Sequence, residues 1–297
     1  MDRNPATPRP AEAGVASASP ESARARAAEG GDLDAAAIAR AAGLPERAVR
    51  VLDTVDSTSR VLMEEPWPAS PASPVVLVAR RQTAGRGRLG RVWLSGGDDS
   101  LTMSVALELP LPLVAGRLGA LSVVAGLAVA EALVGTVPDL RLKWPNDLQR
   151  AGRKVAGLLC ESRLQGERVR VVAGLGLNLL PAPDRFDAIG QPVGALFDSA
   201  SQRPPRSRLA GQLAAALVAA IAGDQRASGS LPQRWACFDA LAGRAVDIIV
   251  GGEIRGGGLA CGVDEGGALR LLTAAGEQSI GIGEVSVRPT DPGGASR

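Results

Sequence analysis

The apolar positions of this chain change rhythm along its length, and each change predicts a different kind of element. In Asp34–Leu52, Ile38, Ala39, Leu44, Ala48 and Val49 fall at helical spacing. This segment has the cadence of a helix-turn-helix, but it is too short for a complete DNA-reading module, so a short amphipathic helix packed on the main domain is expected. Val51–Val55 reads as a strand. Val75–Ala79 is a β-branched apolar run that predicts a buried strand, and Ser100–Leu109 predicts a second. Val114–Val134 is strongly apolar, yet its uncharged centre Leu118–Ala130 is only 13 residues long and is flanked by Arg117 and Glu131. That length favours a buried core helix over a membrane span. Strands are expected at Leu140–Lys143, Lys154–Glu161 and Val169–Asn178. Leu209, Leu213, Leu217 and Ile221 give Arg208–Ala222 one apolar helical face. After Gly243 the texture shifts to short β-rich runs between glycines: Ala245–Val250, Glu253–Gly262, Ala268–Leu272, Gln278–Ile282 and Val285–Arg288. This pattern predicts a small barrel of about five strands, with a domain boundary near Ala242.

Composition narrows the chemistry. The 297 residues hold enough apolar content, 45%, for one large and one small domain. Residues 1–31 are rich in Pro, Ala, Ser, Glu and Arg without an apolar run, and are expected to form a disordered tail with no secretory signal. Net charge is only +2, so any anion binding must be local. There is no histidine, and the three cysteines are scattered without a C-x-x-C pair. This is read as excluding both a zinc site and a histidine-dependent nucleophilic machine. The expected compartment is the cytoplasm, with no membrane attachment.

The local charge is concentrated between Arg80 and Trp93, where five arginines alternate with three glycines and no acidic residue occurs from Pro66 to Gly97. Glycine allows close backbone approach, and guanidinium forks match carboxylate and phosphate oxygens. The segment therefore predicts a mobile loop that orders around a compact anion such as a nucleotide's phosphates; the competing reading is an Arg/Gly nucleic-acid-binding stretch. Asp56-Ser57-Thr58-Ser59 follows a strand, and reads either as a helix cap or as hydroxyls holding a polar head group. Lys143-Trp144-Pro145-Asn146-Asp147 is a rigid turn whose amide and carboxylate suit a cation or an amine, or is simply structural. Lys154 opens an otherwise apolar strand, which implies an anionic partner. In Gly174-Leu175-Gly176-Leu177-Asn178 the missing side chains leave room for a flat or elongated ligand.

These blocks, in this order and spacing, resemble the biotin-protein ligases: Asp56–Thr58, Gln82–Arg91, Lys143–Asp147, Lys154–Glu161 and Gly174–Asn178 carry the likeness from about Val51 to Asn178. Looser agreement extends through Trp235 and Gly243 to Asp264, Gly267, Ala268 and Leu269. The resemblance implies an α+β fold, a mixed sheet packed with helices like the class II aminoacyl-tRNA synthetases, spanning 32–242. An SH3-like barrel and tail would occupy 243–297. It implies ATP-dependent activation of biotin to biotinyl-5′-adenylate, with Mg²⁺ accompanying ATP, and transfer to a lysine of a biotin carboxyl carrier protein domain. Lys154, Arg86, Arg88 and Asp147 are the implied catalytic residues. The implied biotin pocket is Ser57, Thr58, Ser59, Gln82, Arg86, Gly87, Arg88, Lys154, Gly157, Gly174 and Gly176. For the nucleotide the implied set is Arg88, Arg91, Trp93, Asn146, Lys154 and Asn178, and no residue is assigned as a standing metal ligand. Asp147 is expected either to orient and deprotonate the incoming amine or to hold Mg²⁺. Ser59 stands where the family usually has Asn, and a full winged helix-turn-helix is missing, so DNA is not an expected partner. Lipoate or octanoate transfer on the same fold, and a biotin-responsive nucleic-acid-binding regulator, are the alternatives. A homodimer through a sheet edge or the barrel is left open.

Overall fold

The alternating apolar runs assemble into two sheets in the computed structural model, which describes residues 33–68, 74–223, 229–283 and 285–290. The expected tail, 1–31, lies outside the described residues. The larger sheet has seven strands: β1 (Val49–Val55), β2 (Val75–Gln82), β3 (Ser100–Pro110), β4 (Leu140–Lys143), β5 (Asp147–Arg150), β6 (Arg153–Gln165) and β7 (Arg168–Asn178). Their spatial order is β1-β2-β3-β7-β6-β5-β4. Only β1 and β2 run parallel; every other pair is antiparallel, so the sheet is mixed as expected.

Strand alternation divides the labour between the two faces. Met103, Val105 and Leu107 of β3 and Val171, Ala173 and Leu175 of β7 point into the main core. Residues of the opposite parity on the same strands, Thr102, Ser104, Gly174 and Gly176, are small or polar, and of these Gly174 and Gly176 line the site.

Most helices cover the core face, whereas Leu62 of the Thr58–Glu64 helix packs against Leu77, Ala106 and Val172 on the other. The helices are α1 (Ala35–Ala42), α2 (Thr58–Glu64), the short α3 (Leu111–Val114), α4 (Leu121–Leu133), α5 (Pro183–Asp187), α6 (Arg206–Ala222) and α7 (Leu231–Ala236). The run expected as one helix over Val114–Val134 divides: a 3-10 turn at Ala115–Ala120 precedes α4. Leu111–Leu133 is long and apolar enough to cross a membrane by composition alone. In the fold α4 buries Leu121, Val123, Leu127, Val129 and Leu133 within the core, which accounts for an apolar surface on every side of the helix. Helix α1 starts at Asp34, whose carboxylate accepts from Ala37 N at 2.7 Å, and ends at Gly43 with φ 67°. It packs on α6 as expected, and closely: a Cβ placed on Gly211 would sit 2.4 Å from Ala41 Cβ. Helix α1 is the short helix expected within Asp34–Leu52; after a turn at Glu46–Ala48 the chain leaves helical geometry, and Val49–Val55 forms the parallel ladder with β2.

The second sheet is antiparallel throughout, β8 (Ala245–Val250), β9 (Glu253–Val263), β10 (Leu269–Thr273), β11 (Gly276–Ile280) and β12 (Val285–Pro289), in the order β11-β10-β9-β8-β12. Its five strands agree with the expected SH3-like barrel. It is tied to the larger sheet by the buried Trp144 Nε1, which donates to Gly267 O at 2.9 Å, while the segment leading into it bonds β4, Leu142 N donating to Phe238 O and Ala240 N to Leu142 O.

Candidate functional site

The register of three adjacent strands builds the floor. Gly176 of β7 lies between Gly157 of β6 and Thr102 of β3, and Gly174 lies between Leu159 and Ser104. Without side chains at 157, 174 and 176, the backbone is open to whatever lies above it. What lies there is Trp93: a Cβ on Gly176 would fall 2.3 Å from Trp93 Cε2, and one on Gly157 3.4 Å from the same ring. The indole Nε1 is buried without a hydrogen-bond partner. Gly176→Ala is therefore expected to expel the indole and to destabilise the fold by about 1–3 kcal/mol, the usual range for overpacking. Tryptophan emission should shift to the red in Gly176→Ala, and the shift should vanish in a Trp93→Phe background; an unshifted spectrum would mean that the ring does not rest on this floor.

Trp93 closes the Arg/Gly loop. Arg86 bridges Val92, Gly87 N donates to Arg91 O at 2.7 Å, and Trp93 N donates to Gly85 O at 2.9 Å. The segment expected as a mobile loop is folded back on itself here. Gly85 is required for the fold-back, since a Cβ there would lie 2.4 Å from Trp93 O.

At one end of the floor, Asp56–Ser59 and β2 supply polar groups. Ser57 caps α2 by accepting from Arg60 N, so the cap reading holds, and Ser57, Thr58 and Ser59 also line the cleft. Gln82 Oε1 accepts from Thr58 N at 2.8 Å and from Thr58 Oγ1 at 3.0 Å. At the other end lies the pair foreseen for the strand lysine. Lys154 Nζ meets Asp147 Oδ1 at 2.6 Å, with the two side chains 15% and 18% exposed, and Nζ lies 5.8 Å from the Trp93 ring centre. Asn146 Nδ2 donates to Leu158 O, and its Oδ1 accepts from Arg88 Nη1 at 3.5 Å.

Arg88 also spans to the second sheet, donating through Nη2 to Gly283 O at 2.6 Å and Val285 O at 3.4 Å. Burial holds its pKa below the usual arginine value, Asp147 opposes this, and Arg91 adds to the lowering. The Arg86 guanidinium is elsewhere: it is committed to Glu161 Oε1 at 2.7 Å, so its backbone and stem border the cleft while its charge is paired.

Two cations have no role in the sequence reading, although Lys143 opens one of its motifs. Lys143 and Arg288 line the same cleft, and the Lys143 ammonium is held below the usual lysine range first by burial. Lys154, Arg288 and Arg91 repel it further, against the attraction of Asp147. The residues Ala188–Val193, which follow α5, also line the cleft. The cleft encloses about 1070 Å³. It thus combines a glycine floor, a hydroxyl–amide end, and an opposite end where several cations surround one carboxylate. Such an arrangement receives an elongated ligand and brings its distal end against a polyanion. No cluster of three His, Cys, Asp or Glu side chains suited to a metal occurs among the described residues.

Known proteins share this design. Residues 51–178 match the biotin/lipoate A/B protein ligase family. The biotin–[acetyl-CoA-carboxylase] ligase of Mycobacterium tuberculosis is 32% identical over 253 residues, covering 82% of this chain and 90% of the relative. That of Paracoccus denitrificans is 36% identical over 221 residues, 70% and 88% of the two chains. The structure of the Aquifex aeolicus biotin protein ligase in complex with biotin and ATP superposes with a TM-score of 0.66 at 29% identity, covering 82% of this chain and all of the other. With a relative of this identity matched over nine-tenths of its length, and with the same two-sheet architecture, the chain belongs to the biotin protein ligases of the biotin/lipoate A/B protein ligase family.

Proposed function

We propose that this chain joins biotin to ATP and then passes the biotinyl group to a lysine of a biotin carboxyl carrier protein. A biotin carboxylate oxygen attacks the α-phosphorus, pyrophosphate leaves with the electron pair of the broken P–O bond, and biotinyl-5′-adenylate results. The carrier amine then attacks the acyl carbon, AMP leaves, and the amine's surplus proton passes to a base. The observation that carries this reading is the gathering of Lys154, Lys143 and Arg88 around Asp147, with Arg91 and Arg288 lining the same end of a glycine-floored slot. The first step presses two anions together, and this is where their repulsion can be neutralised.

In this reading biotin lies along Gly157, Gly174 and Gly176 with its ring toward Ser57, Thr58, Ser59 and Gln82. Trp93 lifts from the floor and covers the adenylate, keeping water from the acyl phosphate. Arg88 and Arg91 align the phosphates, while Arg86, Gly87 and Asn178 shape the walls. Lys154 leaves Asp147 for the carboxylate and α-phosphate. Asp147 is then free to orient the carrier amine and take its proton, a role that falls to a carboxylate because the chain has no histidine. The alternative for Asp147 is to hold, together with the Asn146 oxygen, a Mg²⁺ ion that would arrive with the nucleotide, since Mg²⁺ commonly takes one or two protein carboxylates and fills its sphere from phosphates and water. Such an ion would neutralise phosphate charge. Free Cys160, Cys237 and Cys261 accord with a reducing, cytoplasmic setting.

The deciding experiment incubates a biotin carboxyl carrier domain with the chain, biotin, ATP and Mg²⁺ and measures intact mass. One biotinyl adduct on one lysine is expected. A lipoyl adduct formed preferentially from a mixture of biotin and lipoate, or no adduct, would overturn the reading.

A further inference from the structure

Behind the polar end of the slot lies a hydroxyl that does not border the cleft. Ser104, on β3 beside Gly174, is 0% exposed, and its Oγ lies 2.7 Å from Thr58 Oγ1 and 2.9 Å from Ser59 Oγ. The direction of each bond in this chain is fixed by counting protons. Thr58 N–H can only donate, so the Gln82 atom it meets is the oxygen Oε1. That oxygen can only accept, so the Thr58 hydroxyl donates to it. Thr58 has one hydroxyl proton, and it must therefore accept from Ser104. Ser104 in turn must accept from Ser59. The relay runs Ser59 to Ser104 to Thr58 to Gln82, and every hydroxyl proton in it is committed.

We infer that Ser104 is a positioning residue that sets the polarity of the binding face: it consumes the only hydroxyl proton of Ser59, so that Ser59 presents an acceptor alone, while Gln82 turns its Nε2 donors to the cleft. A ligand seated there must offer an N–H to Ser59 and an oxygen to Gln82, as a cyclic urea does. Gly174 belongs to the device, since a Cβ there would meet Ser59 Oγ at 2.2 Å and force the hydroxyl off the relay. The inference rests on the proposed binding of biotin in this slot, and assigns specificity to a residue that never touches it.

The test uses biotin and its two cyclic carbamate analogues, in each of which one ureido N–H is replaced by a ring oxygen. Dissociation constants are measured by calorimetry on the full chain. Wild type should reject one carbamate at least about tenfold more strongly than the other, because its oxygen would face the Ser59 lone pairs. Ser104→Ala frees the Ser59 proton to turn toward the ligand. The variant should regain affinity for that carbamate relative to biotin, narrowing the gap to within about threefold, with ATP affinity unchanged. Ser59→Ala should narrow the same gap by removing the acceptor. Equal weakening of all three ligands in Ser104→Ala would make the residue merely structural, and equal rejection of the two carbamates by wild type would also overturn the inference. Failure of wild type to bind biotin at all would instead sink the functional proposal and this inference with it.

Discussion

Lys154→Ala should slow adenylate formation by about 10²–10³-fold, the loss typical when one preorganised charge-stabilising donor is removed. The side chain is largely withdrawn from water and is held 2.6 Å from Asp147 beside the Trp93 ring. In the proposed complex an ammonium in that position would act on the meeting point of carboxylate and α-phosphate with little solvent screening. Its removal also leaves the Asp147 carboxylate facing the incoming anions uncompensated, so repulsion increases where attraction is lost. ATP affinity should change far less, because Arg88, Arg91, Lys143 and Arg288 remain in the cleft. Single-turnover pyrophosphate release, set beside calorimetric ATP binding, separates the two effects. A decrease of only a few-fold in release would mean that Lys154 supports its strand and no more.

Asp147→Asn should divide the half-reactions. Biotinyl-adenylate should still form, within about tenfold of wild type, whereas its transfer to the carrier lysine should slow by at least about 100-fold, a common worth for a positioned general base. Raising the pH should partly restore transfer, because the carrier lysine has an unperturbed pKa near 10.4 and each unit below that removes about tenfold of the neutral amine. The isolated adenylate, presented to the variant in a single turnover, gives the transfer rate directly. Normal transfer combined with lost adenylate synthesis, rescued by added magnesium and not by pH, would assign Asp147 to the metal instead. Lost synthesis that neither treatment rescues would leave it only the task of holding Lys154.

The elements most legible in the sequence were those whose apolar period matched a single burial environment. Val75–Ala79 and Val169–Asn178 are strands because β-branched and apolar residues fill a sheet interior, and α6 keeps its four-residue apolar spacing against the core. The four-residue β5 was illegible, since Asp147, Gln149 and Arg150 carry no apolar rhythm and pair only because β4 and β6 flank them. In the site, Lys154 beside apolar neighbours correctly announced an anionic partner, which proves to be Asp147. Arg86 looked equivalent to Arg88 within the repeat, but only three-dimensional packing puts Glu161 in reach of one and the second sheet in reach of the other. Arg288 was missed because it comes to the cleft from the opposite sheet, 134 positions beyond Lys154 (288 − 154). Ser104 gave no signal at all: a serine in a strand is ordinary until the register sets it beside Gly174.

The bond from Trp144 to Gly267 gives the C-terminal sheet a standing that a tethered module would lack. Trp144 opens the turn that carries Asn146 and Asp147, is only 2% exposed, and has its indole N–H satisfied by a carbonyl from the other sheet. Alongside it, Phe238 and Ala240 extend the ladder of β4 by bonding to Leu142. Cutting the chain at Gly243 would therefore strip one wall from the largest aromatic beneath the carboxylate-bearing turn and leave its donor without a partner. The small sheet is thus a buttress of the Asn146–Asp147 turn, and the chemistry proposed at Asp147 would depend on a side-chain hydrogen bond to a carbonyl far downstream, a separation of 267 − 144 = 123 positions from Trp144.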